Sequence, residues 1–317
     1  MSPLHDTEFD TTVVSRISAA DGVDYFELGG IGGASLPSWE PGAHIDVLLP
    51  AGGERQYSLS GSPSAATWRI AVLREPNGRG GSEWLHNDVT AGDTIRVRGP
   101  RNHFSFNPSA ESSYLFIAGG IGITPLAPMA EAAAAAGIPY RILYSGRSRS
   151  TMAMLSELRD AHPGKLEIFA SDEGRRLDLD EMLPALDPST VVYCCGPTRL
   201  IDAVESAASA NTVHVERFEA KELGEPVLHE SFEVELALTG TTLTVPPDRS
   251  ILDVVEESGV LVLSSCQEGT CGTCETPVLE GKVDHRDSIL TPDEQADNTV
   301  MYICVSRSAC PRLVLEL

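Results

Sequence analysis

Three cysteines within nine residues, and a fourth far downstream, constrain this chain more than any other feature. In S-S-C-Q-E-G-T-C-G-T-C-E-T, four residues separate Cys266 from Cys271 and two separate Cys271 from Cys274; twenty-nine more intervene before Cys304. This is the C-x4-C-x2-C…C spacing of a plant-type [2Fe–2S] ligand set, three ligands from one loop and one from elsewhere. A short loop around an anionic iron–sulfur core must aim backbone N–H groups at sulfur, which crowds out side chains. Gly269 and Gly272 suit that demand, and Ser264, Ser265, Thr270 and Thr273 add small polar neighbours. Structural zinc usually shows paired short spacings, whereas here the fourth cysteine stands alone. A disulfide framework does not suit seven cysteines without an export signal. Buried free thiols are the plainer alternative.

With 317 residues the chain is too long for one ordinary core and suits two or three domains of about 100 residues each. No apolar run approaches the roughly 18 residues of a membrane span. The start, M-S-P-L-H-D-T-E-F-D, has neither a basic cluster nor an apolar stretch, so a cytoplasmic, reducing setting is expected. Forty-six acidic against 23 basic residues leave a net charge of −23, which argues against nucleic acid and anionic membrane as partners. From Pro226 onward there are sixteen Asp and Glu against five Lys and Arg, an excess around the cysteine loop. It serves either a basic protein partner or plain solvation.

Residues 1–108 read as short alternating strands with Gly and Pro turns: F-D-T-T-V-V-S-R-I, V-D-Y-F-E-L, H-I-D-V-L-L, R-Q-Y-S-L-S, W-R-I-A-V-L and T-I-R-V-R. Six strands at this spacing suggest a small antiparallel barrel. Alternation along R-Q-Y-S sends Arg55 and Tyr57 to one side. N-G-R-G-G-S, Asn77 to Ser82, is a glycine-rich turn before a helical S-E-W-L-H-N, where free N–H groups can hold a phosphate. His44, His86 and His103 lack ligand spacing and read as structural or surface residues.

From 109 to 223 strands alternate with helices, which implies a parallel sheet with a ligand site at its carboxyl ends. The turn A-G-G-I-G-I-T-P, Ala118 to Pro125, follows the first of these strands, and Pro125 suits the first helical position. Such glycines admit a dinucleotide to the backbone, or simply allow tight strand-to-helix packing. C-G-P, Cys195 to Pro197, ends another strand. Glu219 to Glu230 is charged and aperiodic and reads as a linker, placed at 224–231. Beyond it a hairpin pattern and a short amphipathic helix lead into the cysteine loop.

The stretch from Phe232 to Leu317, with E-G-K-V-D-H-R-D-S-I-L-T-P-D-E-Q and C-V-S-R-S, resembles the ferredoxin domain of the phthalate dioxygenase reductase and vanillate demethylase reductase family. P-G-A-H-I-D-V before R-Q-Y-S-L-S is similar to that family's flavin barrel. The resemblance implies a multidomain fold: an antiparallel β-barrel flavin domain (1–108), an α/β parallel-sheet nucleotide domain (109–223), and a C-terminal β-grasp (α+β) ferredoxin domain (232–317). It implies FMN, with FAD as runner-up, held by Arg55, Gln56, Tyr57, Ser58, Gly80, Gly81 and Ser82, with the backbone of Ala71, Val72 and Leu73 at the ring edge and Thr124 and Phe218 beside it. For NAD it implies Gly120, Ser145, Arg147, Asp172, Cys195, Gly196 and Pro197. NADH rather than NADPH is expected from the resemblance alone, because Arg147 and Arg149 suit a 2′-phosphate as well. The [2Fe–2S] ligands are Cys266, Cys271, Cys274 and Cys304; Cys310 fits the spacing less well.

A nicotinamide gives up two electrons at once and a [2Fe–2S] centre passes one at a time, so a flavin must stand between them. The three motif sets therefore explain one another. The resemblance implies an NADH-dependent reductase serving the oxygenase component of a Rieske dioxygenase or demethylase, or alternatively a haem-thiolate monooxygenase. The partner would dock near the cluster, and the chain itself is expected to be a monomer. No side chain is expected to act as acid or base.

Overall fold

The computed structural model describes residues 7–110, 112–208 and 210–317. The first six residues of the stretch read for an export signal lie outside that range. The chain divides into two compact units, 1–216 and 217–317.

The first unit opens with β1 Glu8–Ala20, β2 Val23–Gly30, β3 His44–Leu48, β4 Glu54–Ser58, β5 Trp68–Leu73, α1 Gly81–Asp88 and β6 Thr94–Arg101. Each strand coincides with one of the six alternating stretches. They pair antiparallel in the order β4-β3-β6-β1-β2-β5, and a Leu59–Ile70 bridge joins the two outer strands, so the sheet closes on itself and hides its edges. Alternation turns Phe26, Leu28, Ile45, Val47, Trp68, Ile70 and Val97 inward, where all are buried. Each such side chain contributes roughly 1.5–3 kcal/mol.

Five parallel strands follow: β7 Ser113–Gly119, β8 Tyr140–Gly146, β9 Leu166–Ala170, β10 Thr190–Cys195 and β11 Val213–Glu216. Helices α2 Ile123–Ala135, α3 Leu155–Ala161, α4 Leu179–Met182 and α5 Thr198–Ala207 connect them. The order is β11-β10-β7-β8-β9. Connections leave the central β7 in one direction and later return to its other side, which opens a crevice at the carboxyl ends. β7 is an unbroken apolar run because both its faces are covered. Phe116 and Ala118 meet Met129 and Ala130 of α2 in one core, and Leu115 and Ile117 meet Leu183, Ile201 and Val204 in the other.

Pro125 takes the third helical position rather than the first, since α2 starts at Ile123. An N–H there still has no acceptor inside the helix, so the ring costs little. Pro128, further in, removes a bond that Thr124 would otherwise accept.

Barrel and sheet share a core. The Phe106 ring lies 4.9 Å from Tyr114, 5.5 Å from Phe116 and 5.3 Å from Tyr193. Tyr25 and Arg69 of the barrel reach Glu157 of α3 at 2.8 and 2.9 Å. These contacts hold the barrel against the sheet.

In the second unit β12 Phe232–Leu236 and β13 Thr241–Val245 form the expected hairpin. Helix α6 Ile251–Glu257 starts at a reciprocal cap: Ser250 Oγ accepts from Asp253 N–H at 3.0 Å, and the Asp253 carboxylate accepts from Ser250 N–H at 3.2 Å. Then come β14 Glu275–Glu280, β15 Val283–Asp284, α7 Pro292–Asp297, β16 Val300–Tyr302, β17 Arg307–Ser308 and β18 Arg312–Leu315. The main sheet runs β13-β12-β18-β14-β16, with β18 parallel to β12, the β-grasp arrangement. Ile251, Leu252 and Val255 of α6 pack against Phe232, Val234 and Leu236.

The charged stretch before β12 is fastened to this unit. Lys221 N–H donates to Ser288 Oγ at 3.2 Å, Arg286 to the Gly224 carbonyl at 2.6 Å, and Val227 N–H to Asp284 Oδ2 at 3.1 Å. Among the described residues no helix is long and apolar enough to cross a membrane.

Candidate functional site

Cys266, Cys271 and Cys274 lie on the loop between α6 and β14, and Cys304 lies two residues past β16. Pairing of Glu275 in β14 with Tyr302 in β16 brings Cys304 to Cys274. All four thiols are buried, at 8, 2, 3 and 9 % exposure. Their sulfurs touch in a chain, Cys271 to Cys266 to Cys304 to Cys274. Glu268 and Thr270 N–H groups point at Cys266 Sγ from 3.3 and 3.4 Å, and Cys266 N–H points at Cys271 Sγ from 3.4 Å.

The thiol of Cys271 beside Cys266, and that of Cys304 beside Cys274, hold Cys266 and Cys274 below the ordinary thiol range; contact with Cys266 raises Cys271, and contacts with Cys266 and then Cys274 raise Cys304. Gly269 has φ +70°, and a Cβ on it would stand 2.6 Å from Val305 Cγ2. Only glycine lets the loop pass there. Among the described residues no three His, Cys, Asp or Glu side chains close on a point as ligands of a single ion. A chain of four thiols with amides aimed at sulfur suits a two-iron core better than one tetrahedral ion.

On the barrel, Arg55 Nη2 donates to the Arg79 carbonyl at 2.5 Å, and a Cβ on Gly81 would lie 2.4 Å from Arg55 Cγ. Gly80, at φ +82°, precedes α1, whose first N–H groups at Gly81 and Ser82 lack acceptors inside the helix. A guanidinium beside a helix start is a cradle for a phosphate. Tyr57, next but one along β4, packs against the barrel core, and burial raises its hydroxyl well above the usual phenol range. Gln56 turns elsewhere: its Nε2 donates to buried Asp46 at 2.8 Å, which leaves its backbone to face any ligand. The Val72 carbonyl accepts from His86 Nε2 at 2.9 Å, tying β5 to α1 beside Ala71 and Leu73.

At the carboxyl ends of the sheet, Glu216, Cys195, Ala118 and Tyr144 form one row across β11, β10, β7 and β8. Two glycine turns meet there backbone to backbone. A Cβ on Gly122 would stand 2.3 Å from the Cys195 carbonyl, one on Gly196 2.9 Å from Gly119 Cα, and one on Gly119 2.6 Å from Pro197 Cδ. Close packing thus accounts for three of these glycines. Gly120 differs, with φ +54° and open space where a Cβ would point. Thr124 is buried and donates to the Ile121 carbonyl at 3.0 Å, and Ser145 donates to the Ala118 carbonyl at 3.0 Å.

The turn with Arg147 is knit to that with Asp172, whose N–H donates to the Arg147 carbonyl at 3.0 Å. Arg149 grips Glu173 through two bonds of 2.6 and 3.0 Å. Phe218 belongs to the second unit and is 43 % exposed.

Sequence reasoning missed Glu216. It is partly buried, one carboxylate oxygen is shut away from solvent without a hydrogen-bond partner, and desolvation pushes its pKa up to about 8 against the Ser58 hydroxyl, which lowers it. Beside it, burial and the Glu216 charge push the Cys195 thiol well up. Ser58, Cys195 and Glu216 therefore bring together a motif residue from the barrel, one from the sheet, and a protonated carboxyl that belongs to no motif. The available signal was an acidic residue ending V-H-V-E, on a strand beside the largely buried β10.

Comparison with known proteins joins these parts. The 2Fe-2S iron-sulfur cluster binding domain family matches residues 234–309, and the dimethylamine monooxygenase subunit DmmA-like N-terminal domain family matches residues 93–217. The phenoxybenzoate dioxygenase subunit beta of Ectopseudomonas oleovorans is 43% identical over 94% of each chain. The solved phthalate dioxygenase reductase, described as a modular structure for electron transfer from pyridine nucleotides to [2Fe–2S], is 36% identical over 98% of each chain, with a TM-score of 0.68. This chain belongs to the phthalate dioxygenase reductase family. An intact type IV self-sufficient cytochrome P450 monooxygenase is also similar, at 41% identity and a TM-score of 0.92. This chain spans 41% of that longer protein. Membership in the phthalate dioxygenase reductase family assembles phosphate cradle, strand-end crevice and four-thiol loop into one oxidoreductase.

Proposed function

We propose that the protein is the NADH-dependent reductase of an oxygenase system, holding FMN on the barrel and a [2Fe–2S] cluster at Cys266, Cys271, Cys274 and Cys304, and serving the oxygenase component of a Rieske aromatic dioxygenase or O-demethylase. The observation that carries it is the set of four buried thiols brought together with amides aimed at sulfur, in a chain that also builds a phosphate cradle and a nucleotide crevice. Bound in these places, the flavin and the cluster convert the hydride of NADH into electrons delivered singly.

The chain's own part is to bind, orient and exclude water. Arg55 and the start of α1 hold the FMN phosphate, and Tyr57 packs along the flavin. Gly120 leaves the strand-end turn open to the nicotinamide nucleotide, with Ser145 and Asp172 placed for its ribose. Arg149, occupied by Glu173, is withheld from a 2′-phosphate, which favours NADH. Glu216 holds a proton at its carboxyl near neutral pH beside Ser58. The cysteines outside the cluster set, Cys194, Cys195 and Cys310, carry no disulfide, which suits a reducing cytoplasm.

The test is anaerobic rapid mixing of the holoprotein with NADH. Flavin absorbance is expected to bleach first and cluster absorbance to follow, with product formed only when an oxygenase component and its aromatic substrate are added. A protein that lacks iron after anaerobic reconstitution defeats the reading. The likeness to a P450 fusion favours a second reading, in which the acceptor is a haem-thiolate monooxygenase. Parallel turnover with each acceptor class separates the two.

A further inference from the structure

Between α6 and the first cluster cysteine the chain runs V-L-V-L-S, Val260 to Ser264. Val260 and Val262 pack against the core of the unit, while Leu261 is 98% and Leu263 50% exposed. This is the alternation of an extended segment, one side inward and the other outward. The outward side of such a segment is ordinarily polar; here it carries two leucines.

A scattered surface leucine is unremarkable. Place and surroundings set these two apart. Leu263 stands three residues before Cys266, within about 11 Å of extended chain. On one side lie exposed Gln267 and Glu268 of the cluster loop, on the other exposed Glu256 and Glu257 at the end of α6. Ser264 Oγ lies 3.5 Å from Glu256 Oε1, so the helix end borders the segment directly.

One arginine, Arg249, offsets Glu257 of this rim, while Arg286, Arg307 and Arg312 are engaged elsewhere. Arg249 is tied to Glu257 at 2.6 Å, Arg286 to Asp284 at 3.5 Å, Arg312 to Glu235, and Arg307 to the carbonyls of Arg249 and Pro246.

We propose that Leu261 and Leu263 are the apolar centre of the face through which electrons leave, and that its occupant is an electron-accepting protein whose docking surface carries an apolar spot ringed by Lys and Arg. The proposal rests on the functional reading above and names the surface and chemistry of the partner. Charge selects the occupant: a second copy, at −23, or an anionic membrane would set like charges against the rim. Interfaces for electron transfer are small, under about 1,200 Å² in all, so two leucines and an acidic rim are a fitting scale. The rim speeds encounter, and the leucines slow departure. Each docking passes one electron, so one NADH becomes NAD⁺ and H⁺ while two acceptor molecules are reduced in turn.

The test uses the holoprotein with NADH and two one-electron acceptors, a lysine-rich cytochrome c and ferricyanide. Leu261→Ser with Leu263→Ser alters only outward side chains, so flavin and cluster spectra should match the wild type. The KM for cytochrome c is expected to rise about tenfold, a change that persists at high salt, with ferricyanide turnover unchanged. Glu256→Gln with Glu257→Gln is expected to flatten the salt dependence of kcat/KM for cytochrome c. Unchanged cytochrome c kinetics in the leucine variant overturns the proposal. A wild-type dimer that the leucine variant turns into a monomer overturns it too, in favour of a second copy. A wild type that carries both chromophores yet reduces no protein acceptor overturns the functional reading, and the docking face with it.

Discussion

The cluster loop and the strand-end crevice are both built on glycine, for opposite reasons. In the loop, Gly269 and Gly272 adopt left-handed backbone, at φ +70° and +77°, and the amides of Glu268 and Thr270 point at sulfur. The backbone there is itself the binding surface. In the crevice, Gly119, Gly122 and Gly196 let two turns press together, and Gly120 alone faces open space. Glycine marks a ligand in the first region and mostly marks packing in the second. The carboxyl ends of the strands also carry Glu216, whose unpartnered carboxylate oxygen no spacing announces.

The largest expected effect tests the loop. Cys304→Ser should abolish the visible and EPR signals of the cluster and reduce electron delivery to a protein acceptor to background. NADH-driven ferricyanide reduction through the flavin should persist, which an acceptor assay run in parallel checks. If both activities fall together, the two regions are not separable.

Next come the glycines. Gly269→Ala, strained by φ and by Val305, should cost about 1–3 kcal/mol and lower the iron content per chain. Gly122→Ala, blocked by the Cys195 carbonyl at 2.3 Å, should cost about the same in urea denaturation and raise the KM for NADH while leaving iron content intact. A loss of iron in the second variant breaks the contrast.

Glu216→Gln sharpens it through pH. Between the ordinary carboxyl value of 4.5 and about 8, the folded chain keeps a proton that the unfolded chain has released, so stability falls as pH rises across that window. The slope is up to about 1.4 kcal/mol per pH unit. The amide should flatten it, measured as urea midpoints from pH 5 to pH 8. A slope that survives the substitution places the titrating group elsewhere.

The smallest effect is expected for Glu173→Ser, which frees the exposed Arg149. The KM for NADPH should fall by a few-fold at most, as befits a solvent-screened pair, and that for NADH should stay put.

Six barrel strands, five parallel strands and the ferredoxin hairpin were all legible, because each repeats a period of two or an unbroken apolar run in a segment long enough to count. The four cysteines were legible because ligation fixes their spacing. Pro125 misplaced the start of α2 by two residues, since the first turn tolerates proline at several positions. Gln56 shares its motif with Arg55 and Tyr57, yet its side chain serves Asp46 instead, its cross-strand partner on the neighbouring β3. Glu216 was hidden because its hydrogen-bond partner, Ser58, lies more than 150 residues earlier. The stretch from Lys221 to Val227 looked like free linker because bonds to Asp284, Arg286 and Ser288 leave no mark on local composition.

The chain of sulfurs has one more consequence. Cys304 belongs to the far edge of the ferredoxin sheet and its three companions to a loop with little regular structure, so whatever binds all four works as a removable rivet between parts that otherwise meet through few ladder bonds. Emptied of its ligand, that junction would rest on the few bonds between β14 and β16 alone.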